Sequence, residues 1–183
     1  MHQLIEWFSK KYSDIKWNMQ SCHHSFAKGE VNPYHIEDDC WSHTMLVCKV
    51  CELKGYSRVV KAACLLHDIG KPKAREIKHK TYVYFKGHEE ISAQMAKPIL
   101  EDMAKDGLIK EEQIDTILEL ILKHGYFYTV DSVDEVIVEF KDRLDFLKFL
   151  VQVNECDDMG RFAQSSNRGA EFRAKLLGRF KNE

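Results

Sequence analysis

Five stretches of this 183-residue chain repeat apolar residues at helical spacing, and on each the apolar stripe also carries a histidine or an aspartate. His43 shares a face with Leu46, Val47 and Val50; His67 extends Val60, Ala63 and Cys64; His88 opens the stripe Ile91, Ser92, Met95. His124 closes Ile114, Ile117, Leu118 and Ile121, and Asp157 continues Phe146, Phe149, Leu150 and Val153. Helical residues three or four apart point the same way, so whatever buries the aliphatic groups turns these polar groups inward too. Asp68 follows His67 directly. Burying a carboxylate without a partner costs several kcal/mol, on the order of the stability margin of a small domain. Asp68 and Asp157 therefore need compensation, and no lysine or arginine lies on these apolar faces. One or two divalent cations held by neutral imidazoles and shared by the carboxylates would meet that need, and the donor set suits Fe, Mn, Co, Ni, Zn or Mg. An ordinary core histidine bonded to a backbone carbonyl explains any one of these positions alone; the joint pattern points to metal.

Helical periodicity predicts helices near Gln3–Tyr12, Trp41–Leu53, Ser57–Asp68, His88–Lys105, Glu111–His124, Arg143–Asp157 and Arg168–Phe180. The stretch through Cys22, His23, His24, Asn32 and Pro33 has no clear period and reads as irregular. Partial alternation with β-branched and aromatic residues in Glu76–Phe85 predicts a short hairpin. The fold class expected is all-α, a helical bundle with a short β-hairpin near 75–85, in a single domain over 1–183. Helices at its N- and C-terminal ends would flank the central segment.

A net charge of −2 gives no global field to draw the chain onto nucleic acid or an anionic membrane, so any phosphate recognition must be local. No window reaches the ~20 apolar residues of a membrane span, and the expected location is cytoplasmic. The cysteines Cys48, Cys51 and Cys64 fall in apolar helical patterns as small hydrophobes, and Cys48-x-x-Cys51 alone is weak evidence for structural zinc. His2, His23, His24, His35 and His79 sit in polar or irregular surroundings and read as solvated, as does Glu37, whose alternative role is to position His43. Tyr82–Phe85 and Tyr126–Tyr128 are candidates for a base-binding wall, with packing favoured. The basic, amphipathic 168–181 segment reads first as a solvated helix and leaves room for an RNA contact or a homo-oligomer face.

The order His43, His67-Asp68, His88, His124, Asp157 resembles the HD superfamily of metal-dependent phosphohydrolases, all-helical proteins named for the His-Asp doublet. His-Asp-Ile-Gly-Lys at 67–71, Gly-His-Glu at 87–89 followed by Ile-Ser-Ala, and Asp-x-x-Gly-Arg at 157–161 are similar to the HD domain of bacterial tRNA nucleotidyltransferases. That resemblance implies a phosphatase and 2',3'-cyclic phosphodiesterase acting on nucleotides or RNA-terminal phosphates through a metal-activated hydroxide. It implies a first metal site of His43, His67, Asp68 and Asp157, with Asp68 bridging toward a second ion on His88 and His124. Lys71 and Arg161 would face the phosphate, with Asp68 and Lys71 as the catalytic pair; Lys71 otherwise reads as a solvated lysine in a loop capped by Gly70, and Arg161 as a surface residue beyond Gly160. No nucleotidyltransferase head accompanies these motifs. Hydrolysis of dinucleoside polyphosphates or cyclic dinucleotides, di-iron oxygenation, and non-catalytic nucleotide binding remain alternatives on the same ligands.

Overall fold

Side-chain caps start the central helices where the apolar periodicity begins. In a computed structural model, which describes residues 1–25, 35–78, 82–161 and 168–180, the Asp39 carboxylate accepts from Ser42 N at 2.8 Å and opens α3 (Cys40–Leu53). Ser57 accepts from Val60 N at 3.4 Å and opens α4 (Arg58–Leu66). Before them come α1 (His2–Lys11) and α2 (Ser13–Gln20); after them come α5 (Lys71–Ala74), β1 (Glu76–Lys78), β2 (Tyr82–Tyr84) and α6 (His88–Lys105). The chain continues through α7 (Ile114–Lys123), α8 (Val133–Phe140), α9 (Leu144–Gly160) and α10 (Arg168–Phe180). The fold is all-α, and its strands form one antiparallel hairpin in which Glu76 faces Tyr84 and Ile77 faces Val83.

α3, α4, α7 and α9 pack around a core that includes Val47, Cys48, Val60, Leu66, Ile117, Ile121, Leu150 and Val153. α6 lies on α7 and against the turn after α4, while α10 covers α9 through Phe172 and Leu176. The N-terminal helix is tied to the end of α6 by Trp7 Nε1, which donates to Asp106 at 2.7 Å, and Tyr12 Oη, which donates to Asp102 at 2.9 Å. Among the described residues no helix is long and apolar enough to cross a membrane.

The structure adds helices that periodicity did not reveal. α2 buries only Met19, too little apolar surface to form a stripe, and it occupies part of the stretch expected to be irregular. α8 is short and rich in β-branched residues, a pattern that reads equally as strand; Ser132, accepting from Glu135 N at 3.3 Å, decides for helix.

Two glycines set the helix spacing around the polar cluster. A Cβ on Gly160 would lie 2.7 Å from Val47 N, so its absence lets α9 close on α3. A Cβ on Gly70 would lie 2.5 Å from Ser92 N and 2.6 Å from the His88 carbonyl, which lets the turn after α4 close on α6. Sequence offered Gly70 as the C-terminal cap of α4, but the structure makes His67 that cap and puts Gly70 at the N-cap of α5. The Gly70 φ is −83°, and Lys71 beyond it starts α5 instead of a loop.

Candidate metal centre

Each imidazole of the cluster is aimed by its other nitrogen. His67 and His124 end α4 and α7, and His88 begins α6, and in all three Nδ1 donates to the carbonyl three residues upstream: Cys64 at 2.9 Å, Ile121 at 2.7 Å and Phe85 at 2.8 Å. His43, in the first turn of α3, directs Nδ1 to Glu37 Oε1 at 2.9 Å. An acceptor at Nδ1 holds the proton there and turns Nε2 to the interior, the arrangement that orients histidine ligands.

The four Nε2 atoms meet the two aspartates in a pair of adjoining triads, His43–His67–Asp157 and Asp68–His88–His124, each with its ligand atoms within 4.8 Å of one another. Nε2 of His43 lies 3.4 Å from that of His67 and 3.0 Å from Asp157 Oδ1. Nε2 of His88 lies 3.2 Å from that of His124. Asp68 spans the triads: Oδ2 lies 3.2 Å from His67 and 3.7 Å from His43, while Oδ1 lies 3.2 Å from His88 and 3.8 Å from His124. An ion bound at about 2.1 Å separates neighbouring ligands by about 3.0 Å in octahedral and 3.4 Å in tetrahedral coordination. The observed spacings fall at or slightly beyond those values, so the residues fit a divalent ion in either triad with Asp68 between them.

The Asp68 carboxylate supplies an independent sign. It is buried, and neither oxygen receives a donor in hydrogen-bonding geometry, although Lys71 Nζ approaches Oδ2 at 2.6 Å as an ion contact. Burial pushes its pKa up, but the His67 ring and the Lys71 ammonium outweigh that and hold it well below the usual carboxylate range. Asp157 is likewise pushed up by burial and pulled well down by Arg161 and His43. An ionised, buried carboxylate whose oxygens meet no hydrogen-bond donor among the described residues, and whose ion contact with Lys71 is at Oδ2, is a group that a bound cation satisfies. His124 stays neutral, its pKa pushed down to about 3 by burial and by His67. His43 differs: burial lowers its pKa, but Asp157 and Glu37 on its two nitrogens raise it overall. A cation at Nε2 must therefore compete with a proton there.

The centre forms the floor of an open cleft of about 680 Å³, which Lys71, Phe85, Lys86, Lys123, Tyr126 and Arg161 also line. Lys71 is buried rather than solvated, its ammonium 3.4 Å from His24 Nε2 and 5.4 Å from the centre of the Phe85 ring. α9 ends at Gly160, yet Arg161 does not turn out to the surface: it donates to Asp157 Oδ2 at 3.1 Å and Asp158 Oδ1 at 3.0 Å, and also meets the Tyr128 hydroxyl. Tyr128 donates to Asp157 Oδ2 at 3.2 Å, and Arg173 of α10 holds Asp158 Oδ2 at 2.6 Å. Of the aromatic runs, Phe127 is core, Tyr126 and Phe85 reach the cleft, and Tyr84 is exposed. The Tyr82 side chain and His79 lie outside the described residues.

Three residues expected to be solvated are not. The Glu37 side chain is 3% exposed and accepts from both His35 Nδ1, at 2.8 Å, and His43. His24 is buried, stacked on His35 with ring centres 4.0 Å apart, and burial drives its pKa far down. His35 is pushed to about 4 by burial, against the pull of Glu37. All three lie outside any periodic segment, so no stripe marks which way they face. The position of Glu37 six residues before His43 was the one available signal.

Comparison with known proteins gives consistent results. The HD domain family pattern matches residues 41–147, a span that holds His43, His67, Asp68, His88 and His124 and ends before Asp157. The chain is 30% identical over 135 residues to the Multifunctional CCA protein of Burkholderia orbicola (strain MC0-3), covering 70% of this chain and 31% of that protein. The Multifunctional CCA protein of Burkholderia ambifaria (strain MC40-6) is similar to the same degree, and that of Burkholderia pseudomallei (strain K96243) is 29% identical over 135 residues. The chain thus spans about a third of the length of these curated relatives.

Proposed function

The chain belongs to the HD domain family of metal-dependent phosphohydrolases, and on that premise we propose that it hydrolyses phosphoesters of nucleotides or RNA-terminal phosphates, as a phosphatase and 2',3'-cyclic phosphodiesterase. The observation that carries this reading is the buried Asp68 carboxylate, its two oxygens facing different His-containing triads at the base of an open cleft. His43, His67, Asp68 and Asp157 would hold one divalent ion, and Asp68, His88 and His124 a second. Bound there, the ions supply Lewis acidity toward a phosphoryl oxygen and lower the pKa of the hydrolytic water.

The chain's own residues do the rest. Arg161 is held in place by Asp157, Asp158 and Tyr128, and its planar guanidinium at the cleft wall matches phosphoryl oxygens. The Lys71 ammonium is close enough to Asp68 to place positive charge beside a phosphate resting on the centre. Both are fixed before substrate arrives, so little reorganisation is needed as charge builds on the phosphoryl group. Glu37 positions the His43 ring and keeps its Nδ1 protonated. Phe85 and Tyr126 supply apolar surface for a base, Lys86 adds positive charge to a cleft that Glu89 and Glu90 also line, and the cleft is of nucleotide size.

The test is turnover by protein reconstituted separately with Mn, Fe, Co, Ni, Zn and Mg on 2',3'-cyclic nucleotides, nucleoside monophosphates, dinucleoside polyphosphates and cyclic dinucleotides. Release of phosphate or opening of the cyclic ester, lost in Asp68→Ala, is the expected result. Failure on every phosphoester with every metal would overturn the proposal.

A further inference from the structure

All of the chain's cysteines are free and buried, and three of them converge. Cys51 of α3, Cys64 of α4 and Cys156 of α9 place their sulfurs within 4.8 Å of one another, and each residue is 0% exposed. They share helices with His43, His67 and Asp157 but no ligand with either triad. Cys48, which the Cys-x-x-Cys spacing had paired with Cys51, is outside the set.

We propose that Cys51, Cys64 and Cys156 form a second ion site, separate from the His/Asp centre, that takes a three-coordinate thiophilic ion of the trivalent arsenic class. A buried free cysteine usually serves as a small hydrophobe. What distinguishes these is that three helices aim soft donors at one point.

Geometry, coordination number and charge select the ion. Sulfurs bound at about 2.3 Å in the trigonal pyramid of trivalent arsenic, with S–As–S angles of about 100°, are about 3.5 Å apart, so spacings within 4.8 Å require each sulfur to move less than about 1 Å toward their common centre. Structural zinc takes four ligands, whereas the group within this spacing stops at three among the described residues. Three thiolates leave a net negative charge with a divalent ion and a larger one with a monovalent ion, in an apolar core where uncompensated charge is costly. Lys61, whose field reaches Cys51, is already paired with Glu52 at 2.8 Å. A trivalent ion gives a neutral complex. With arsenite, three As–S bonds replace three As–O bonds, and each thiol proton leaves with a hydroxyl as water. No oxidation state changes, so no redox partner is needed.

The experiment uses the full reduced chain and inorganic arsenite alone, read by native mass spectrometry and by the near-ultraviolet absorption of As–S bonds. The expected product carries one arsenic per chain with three hydroxides and three thiol protons lost as water. Cys64→Ala should weaken binding by about 100-fold, as should Cys51→Ala, while Cys48→Ala leaves it unchanged. Thermal unfolding of each variant shows that it is folded, and Cys51→Ala decides the matter if Cys64→Ala is not. The proposal is overturned by absence of binding, by binding that survives both triad substitutions, or by tighter binding of zinc than of arsenite.

Discussion

Gly70→Ala puts a methyl group where two backbone atoms already stand. The new Cβ would lie 2.5 Å from Ser92 N and 2.6 Å from the His88 carbonyl oxygen, whereas ordinary contact begins about 1 Å farther out. Neither neighbour can rotate away, so relief requires the turn after α4 to move off α6. That movement also stretches the 2.9 Å hydrogen bond from Gly70 N to Ser92 Oγ, which is buried. Overpacking of this kind costs about 1–3 kcal/mol and weakening a buried hydrogen bond about 1 kcal/mol, so the expected loss is about 3 kcal/mol. Gly55→Ala is the natural control: its φ is +67° and its Cβ would meet nothing within 4 Å, so the cost is about 1–2 kcal/mol of backbone strain. Urea denaturation of both variants beside the parent, with chelator present, measures the difference. The same shift moves His88 away from Asp68, so Gly70→Ala should also bind fewer equivalents of Mn by elemental analysis. A Gly70→Ala protein no less stable than Gly55→Ala, with its metal content unchanged, would refute the close-contact argument.

Lys71→Met removes the cation nearest Asp68; the chelator-stripped protein should lose about 3–5 kcal/mol in a urea titration, and divalent metal should recover much of that by taking over the carboxylate. Glu37→Gln weakens the hydrogen bond that orients His43, and its Mn affinity, measured by competition with a chromophoric chelator, should fall about 10–100-fold. The raised pKa of His43 means that its ring gains a proton as pH falls, and that proton competes with a cation. Metal affinity should therefore increase as pH rises through and above the ordinary value of 6.5, and the increase should flatten when Glu37→Gln removes one of the two carboxylates raising the pKa. Thermal shift with and without Mn, scanned from mildly acidic to alkaline pH, checks both the direction and its dependence on Glu37.

The polar cluster was readable from sequence because its residues sit on or at the ends of helices whose apolar periodicity states which side is buried. His43, His67, His88, His124 and Asp157 each continue a stripe, and a stripe three or four residues long is local information. The same reasoning located most helices to within a few residues, and it placed the hairpin from its alternation. Short elements escaped it. α2 and α8 bury one or two side chains each, and below that number a helical period cannot be told from chance or from a strand.

Local pattern orders the inward-facing groups along the chain, but not which of them meet. The span of Asp68 across both triads depends on how closely the turn after α4 approaches α6, and that approach depends on Gly70 lacking a Cβ. Glu37, His24 and His35 come to the centre from irregular chain, where no period reports direction. Cys51 joins Cys64 and Cys156 instead of its near neighbour Cys48 because α3, α4 and α9 bring those sulfurs together, a matter of packing between helices far apart in sequence. Periodicity comes from bonds between residues a few positions apart, so the chain carries it wherever it folds. Convergence comes from side chains filling one another's space, and it exists only once the helices are packed.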